Sequence, residues 1–297
     1  MAILLHENFR AVFYAPFYAA QATGAYGEAG VEVEMRNSPD PGTAGRALRS
    51  GEADVMWGGP LRVLLNHQAD PDCDDVCFCS VVCRDPFFIV GRQRAPDFKL
   101  ADLASARLGT VSEVPTPWLC LQDDLRRAGI DPATLSRRTG ATMAENADAL
   151  KRGELDAVQL FQPHAEQLLR DGLHLWYAAA ARGPTAYTAL IARRTTLDAR
   201  REELQAMTRA MARTLAWFAT TPAEDIAQLL APFFPDLPTS TLASCLSRYR
   251  NLELWDKTPA LQREGFDRLR TSMISGGALT CAASFEACVD NRFAELY

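Results

Sequence analysis

One phrase occurs twice in this chain, and it constrains the fold more than any other feature. Ala47-Leu48-Arg49-Ser50-Gly51-Glu52-Ala53-Asp54-Val55 returns as Ala149-Leu150-Lys151-Arg152-Gly153-Glu154-Leu155-Asp156-Ala157. Each copy reads as a helix end, with basic residues suited to the negative C-terminus and a glycine free to take the left-handed position that closes it. An apolar strand then begins beyond the Asp. Both strands run into a proline, at Trp57-Gly58-Gly59-Pro60 and at Phe161-Gln162-Pro163, so each exit is a strand-to-helix corner. In open α/β sheets the space beyond the strand C-termini is where small ligands bind. The echo therefore predicts two similarly built lobes, although an αβ turn met twice by chance is the competing reading.

The pattern around the repeat supports this division. Residues 2–7 read as a strand, 15–29 as a helix with Pro16 near its start, and 31–36 as an alternating strand. A helix at 41–50, a strand at 54–57, strand from Val76 to Cys83 and strand from Phe87 to Gly91 extend the first lobe. Alternation restarts at Leu108, a helix opens at Pro117 and runs to about Ala128, and a strand at Tyr187–Ala192 can carry the chain back. The expected division is 1–91 plus 193–297 for lobe 1, discontinuous and with a helical C-terminal part, and 92–192 for lobe 2. Leu204, Met207, Met211, Leu215 and Phe218 recur at helical spacing as a core stripe. Helices near 239–249 and 258–274 follow a proline-bounded loop.

With 297 residues, 48% of them hydrophobic, the chain is long enough for two full cores. A net charge of −6 argues against a nucleic-acid partner, because phosphate binding needs a cationic surface. No apolar run reaches the roughly 20 residues that span a bilayer, so no membrane insertion is expected. The N-terminus, Met-Ala-Ile-Leu-Leu-His-Glu, passes directly into the first strand without the marks of a secretion signal. As the chain stands a cytoplasmic location is expected, and a periplasmic one if a signal has been removed. The eight cysteines show no secreted disulfide framework.

Residues 9–60 carry a resemblance. Ala15-Pro16-Phe17-Tyr18-Ala19-Ala20-Gln21-Ala22-Thr23-Gly24-Ala25-Tyr26, then Glu28-Ala29-Gly30-Val31-Glu32-Val33 and Ser50-Gly51-Glu52-Ala53-Asp54, resemble the NMT1/THI5-like branch of solute-binding proteins. Asp102 to Gly109 and Gly153-Glu154-Leu155-Asp156-Ala157 extend the likeness to about residue 195. The resemblance implies an α/β, two-lobed periplasmic-binding-protein-like fold of type II. Each lobe would be a mostly parallel sheet flanked by helices, with the ligand cleft between lobes. It also implies two functional classes. One comprises binding proteins that deliver small aromatic, sulfonate or pyrimidine-like compounds to an ABC permease. The other is the pyrimidine synthase of thiamine biosynthesis, which consumes its own histidine and bound pyridoxal phosphate. Where the synthase has its lysine and histidine this chain has Gly58 and Arg62, and the run from Gly183 to Leu190 replaces the synthase's iron-linked cysteines. The synthase reading is disfavoured, and no cofactor is expected.

The candidate site residues follow from these corners. Phe9, Phe13, Tyr14, Trp57, Trp118, Phe161 and Tyr187 offer ring faces for a flat ligand, with Trp57 and Tyr14 foremost. Phe17 and Tyr18 read as core. Gly58, Gly59 and Gln162 mark the strand exits. Arg10 and Arg84, with Asp85 as a further polar group, sit at strand ends where a guanidinium can clamp an anion. Ser112 and Thr116 add hydroxyls at the helix opening at Pro117. Glu113 is a candidate general base. Cys73, Cys77, Cys79 and Cys83 invite a metal reading, but in a strand Cys83 lies roughly 20 Å from Cys77, beyond one tetrahedral site. Small buried core residues are the alternative, and no metal is expected. No His-Glu-x-x-His, Gly-x-Ser-x-Gly or Walker sequence occurs. The expected function is small-molecule binding in two closing lobes. The alternative is a cytoplasmic enzyme (lyase, decarboxylase or isomerase) or a sensor on the same fold.

Overall fold

The computed structural model describes residues 1–38, 40–280 and 283–296. The chain divides into two units. The first comprises Met1–Arg84, Pro184–Arg270 and Cys281–Tyr297, and the second Asp85–Gly183 with Thr271–Thr280. The division differs from the expected one because strand pairing, not spacing, decides it. Phe88–Gly91 pairs into the second sheet, and Thr188–Arg193 pairs into the first.

The first unit opens with β1 Ile3–His6, α1 Ala15–Ala22, α2 Ala25–Glu28, β2 Val33–Arg36, α3 Pro41–Ser50, β3 Val55–Gly58, α4 Pro60–Ala69 and β4 Asp75–Val82. The helix expected over 15–29 is broken at Gly24, whose φ of +75° a helix interior does not admit. The second unit contains β5 Phe88–Gly91, β6 Leu108–Gly109, α5 Thr116–Arg127, β7 Arg137–Arg138, α6 Met143–Lys151, β8 Ala157–Leu160, α7 His164–Arg170 and β9 His174–Ala178. The chain returns to the first unit with β10 Thr188–Arg193. There follow α8 Arg194–Ala199, α9 Arg201–Thr220, α10 Ala223–Leu230, α11 Thr239–Asn251, α12 Arg263–Ser275 and α13 Phe285–Cys288.

The first sheet has the order β2-β1-β3-β10-β4 and the second β7-β6-β8-β5-β9. In both, the first three strands are mutually parallel and the fourth is antiparallel to its neighbours. One topology is thus built twice, as the repeated phrase predicts. Gly51 and Gly153 both take φ +78° and return their N–H groups to Leu48 and Leu150, closing α3 and α6. Asp40 caps the start of α3 by accepting the Thr43 N–H at 2.9 Å, and Thr142 with Glu145 forms a capping box at α6.

The cores follow from the faces. Leu204, Met207, Met211, Leu215 and Phe218 of α9 are buried as one stripe, and Phe17 and Tyr18 of α1 are fully buried. In the second unit Ile89, Leu108, Leu121, Leu125 and Ala157 form one cluster. Among the described residues no helix is long and apolar enough to cross a membrane.

Candidate functional site

Sheet direction fixes where the candidate residues of the first unit gather. Strands β1 and β3 are parallel, and β10 runs against both β3 and β4, so the C-terminal ends of β1, β3 and β4 share one end of the sheet. Phe9, Arg10 and Tyr14 follow β1, Gly59 follows β3, Arg84 follows β4, and Tyr187 precedes β10 at that same end. The aromatic rings meet edge to face: Phe9 with Phe13 at 6.1 Å, Phe9 with Tyr14 at 5.3 Å, and Phe13 with Tyr187 at 6.3 Å between centroids. Phe9 is half-buried, whereas Tyr14 is 2% exposed. The Tyr14 hydroxyl accepts from Asn8 Nδ2 at 3.2 Å, and burial raises its pKa.

Trp57 is placed otherwise than as an open stacking face. It has no exposed surface, lies stacked on Phe17 at 4.7 Å with planes 3° apart, and meets Tyr14 and Tyr18 edge-on. Trp57 pairs with Leu190 across the sheet, which turns its ring to the face covered by α1. Gly58 pairs with Ala189 and so faces the other way, where a Cβ would stand 3.0 Å from Met56 Cε. At Gly59 a Cβ would meet the Tyr187 carbonyl at 3.5 Å, an ordinary contact.

The two arginines expected as anion clamps hold protein groups. Arg10 forks onto Glu7 at 2.7 and 2.9 Å, donates to the Phe233 carbonyl at 2.9 Å and to Asn37 at 3.0 Å, and lies over the Tyr18 ring. Arg84 pairs with Glu253 at 3.1 Å.

In the second unit, Ser112, Glu113, Thr116 and Trp118 follow β6, and Phe161 and Gln162 follow β8, again at the C-terminal ends of parallel strands. Ser112 Oγ donates to the Ala141 carbonyl at 2.8 Å. Glu113 accepts the Met143 N–H at 2.9 Å, which commits this candidate base to the start of α6. Thr116 is the first residue of α5 and half-buried. Trp118 has the Arg137 guanidinium over its ring at 4.0 Å. Phe161 is buried edge-on to Phe87 at 5.2 Å, and Gln162 Oε1 accepts the Glu166 N–H at 2.8 Å. Asp85 is a buried structural acid. It accepts the Phe87 N–H at 2.9 Å and Arg182 Nη1 at 2.6 Å, while Arg182 also forks onto Asp124.

A model of the family described as NMT1/THI5 like matches residues 12–225. The chain belongs to that family. A relative from Bacillus subtilis, YtlA, named as a candidate binding protein, is 22% identical over 97% of this chain and 87% of its own. The periplasmic aliphatic sulphonate-binding protein SsuA of Escherichia coli superimposes with a TM-score of 0.78 at 17% identity over 96% of each chain. The desulfurization enzyme DszB does so with 0.71 at 14% identity over 99% of this chain and 97% of its own. At such identities these structures show the fold, which is the type II periplasmic-binding-protein fold. A binding protein and an enzyme share it.

Two features of this NMT1/THI5-like chain were not among the candidate residues. Arg62, in the first turn of α4, is half-buried and makes no hydrogen bond or ion pair among the described residues. Burial, with Arg49 nearby, lowers its pKa. Its place three residues beyond the Gly59 exit is the signal that could have found it. The second is a cavity of about 290 Å³ in the first unit, lined by Ser80, Cys83, Asp256, Gln262, Arg263 and Gly265 among others. Ser80 Oγ donates to Asp256 at 2.5 Å, and burial pushes the Asp256 carboxyl up to about 6. Burial also raises the Cys83 thiol, the reverse of what activates a nucleophile. Cys77 and Cys79 lie buried in β4, and no group of three or more His, Cys, Asp or Glu among the described residues could hold a metal.

Proposed function

We propose that this chain is a small-molecule binding protein of the ABC-transporter substrate-binding type, whose ligand is a small, planar aromatic, pyrimidine-like or anionic organic compound. The observation that carries this reading is the half-buried Phe9 at the shared C-terminal end of β1, β3 and β4, held in place by the buried rings of Phe13, Tyr14 and Tyr187 behind it. The Phe9 ring supplies apolar contact to a flat ligand. In the second unit Ser112, Thr116, Trp118, Phe161 and Gln162, which follow the parallel strands β6 and β8, are proposed as ligand-contacting residues. Family membership supports the same class, and the names of similar proteins, a candidate binding protein and a sulphonate-binding protein, make sulfonates the first compounds to test. An ABC permease is the proposed partner.

The catalytic alternative has one specific observation in its favour, the cavity that holds Asp256 beside Ser80 and Cys83. A carboxyl pushed up to about 6 by burial can serve as a general acid or base. Native mass spectrometry for a co-purified ligand, followed by a thermal-shift screen of aromatic acids, sulfonates and pyrimidines, separates the two. The binding reading expects a recovered ligand or a saturable stabilisation by one compound class. Turnover of a screened compound without stabilisation by any would overturn it.

A further inference from the structure

We propose that Arg62 receives an anionic oxygen group of the ligand, a carboxylate, sulfonate or phosphate. The inference rests on the binding-protein reading above and adds the ligand's charge to it. Arg62 stands in the first turn of α4, directly after Gly58-Gly59-Pro60 at the C-terminal end of β3. Its side chain leans on α3. A Cβ at Gly45 would come within 2.8 Å of Arg62 Nη1, so the glycine makes the space that the guanidinium occupies.

Among the described residues no carboxylate forms an ion pair or hydrogen bond with this guanidinium. Asp40 and Asp75 feel its charge, as does the Tyr14 phenol, but none is in contact with it. Asp40 is engaged in capping α3 through Thr43 and faces Arg46 at 3.8 Å, and Asp75 accepts from Asn66 at 2.7 Å. Arg49 adds repulsion. A guanidinium drawn out of water without a partner is costly, and an incoming anion relieves that cost. Its fork matches the paired oxygens of a carboxylate, sulfonate or phosphate. Helix α4 favours the same charge. Its N-cap is Gly59, which has no side chain to satisfy the first N–H groups, and Pro60 at N1 sets the turn. The arginines singled out in the sequence as anion clamps, Arg10 and Arg84, already hold Glu7 and Glu253.

The test uses the full chain and calorimetry at constant ionic strength. Sodium benzenesulfonate and sodium benzoate are the anionic probes, with benzenesulfonamide and benzamide as neutral counterparts, against wild type, Arg62→Gln and Arg62→Lys. Wild type is expected to prefer an anionic probe. Arg62→Gln should weaken it at least about tenfold while changing the neutral probes less than about twofold, and Arg62→Lys should fall between, keeping the charge without the fork. Equal anion affinity in wild type and Arg62→Gln would overturn the inference, as would equal losses for anionic and neutral probes. Neutral probes binding where anions do not would overturn it and leave the binding reading standing. No binding by any probe would overturn both.

Discussion

The Asp54 carboxylate accepts the Leu4 N–H at 2.9 Å while the Asp54 N–H returns to the Leu4 carbonyl at 3.1 Å. Asp156 and Arg107 repeat this exchange at 2.9 and 3.0 Å in the second unit. The repeated phrase therefore ends on a residue with a defined task. Its side chain and backbone together tie the start of one strand to the strand beside it, just before pairing begins at Leu5 with Val55 and at Leu108 with Ala157.

That role makes Asp156 an acid-sensitive anchor. Hydrogen bonds from the Arg107 side chain and backbone pull its pKa from 3.8 to about 2. A depressed carboxylate contributes stability that is complete above about pH 4 and lost as pH falls through about 2. The site is partly exposed, so Asp156→Asn should cost about 1 kcal/mol at neutral pH after solvent screening. Urea denaturation at pH 7 and pH 3 checks this, with the gap between wild type and variant narrowing at the lower pH.

Asp256 has the opposite sign. Its folded pKa, raised to about 6, exceeds the ordinary 3.8, so the folded state holds the proton between those values. Stability from this group therefore declines as pH rises from about 4 through about 6, by roughly 2 kcal/mol. Asp256→Asn should flatten that part of the profile and raise stability at pH 7 relative to wild type. Denaturation of both proteins from pH 4.5 to 7.5 measures the difference, and parallel profiles would sink the assignment.

Arg182 is 4% exposed at its side chain and holds both Asp85 and Asp124. Its replacement strands two buried carboxylates, so Arg182→Met should cost roughly 3–5 kcal/mol. Adding Asp85→Asn and Asp124→Asn should restore a substantial part of it, since the loss lies in uncompensated charge rather than packing. Equilibrium denaturation of the single and triple variants tests that ordering.

Trp57 lends itself to a graded test of its core position. Trp57→Ala should cost roughly 3–5 kcal/mol through the cavity left against Phe17. Trp57→Phe should cost about 1–2 kcal/mol, because volume is lost but no hydrogen bond is, the indole Nε1 having no partner among the described residues. Near-equal losses in denaturation would mean that the indole does more than fill space.

What could be read from the sequence was local. Gly51 and Gly153 announce helix ends because the left-handed position favours glycine wherever it occurs, and the corners at Gly59 and Gln162 follow from the prolines beside them. Partners brought by distant chain were not legible. Arg10 donates to Phe233, 223 residues away, and Asp85 meets Arg182 across 97, so neither could be recognised as occupied from its surroundings in sequence. Trp57 looked like a ligand platform because its strand ends at a glycine pair. The residue that covers it, Phe17, lies on a helix whose packing face depends on the strand order β2-β1-β3. Arg62 is the converse case: its significance lies in having no hydrogen-bond or ion-pair partner among the described residues, which no sequence displays. The helix expected over 258–274 begins at Arg263, because residues 254–259 instead lie along β4, with Asp256 N–H donating to Val81 and Ser80 N–H to Pro259.

The measurement that bears most directly on the account is isothermal titration of the purified chain with the most stabilising compound of the screen, followed by chromatography of the recovered compound. Titration is expected to saturate at one ligand per chain, to weaken at least about tenfold in Phe9→Ala, to show a negative heat-capacity change from burial of apolar surface, and to return the compound unchanged. A compound recovered chemically altered, or binding indifferent to Phe9, would contradict it.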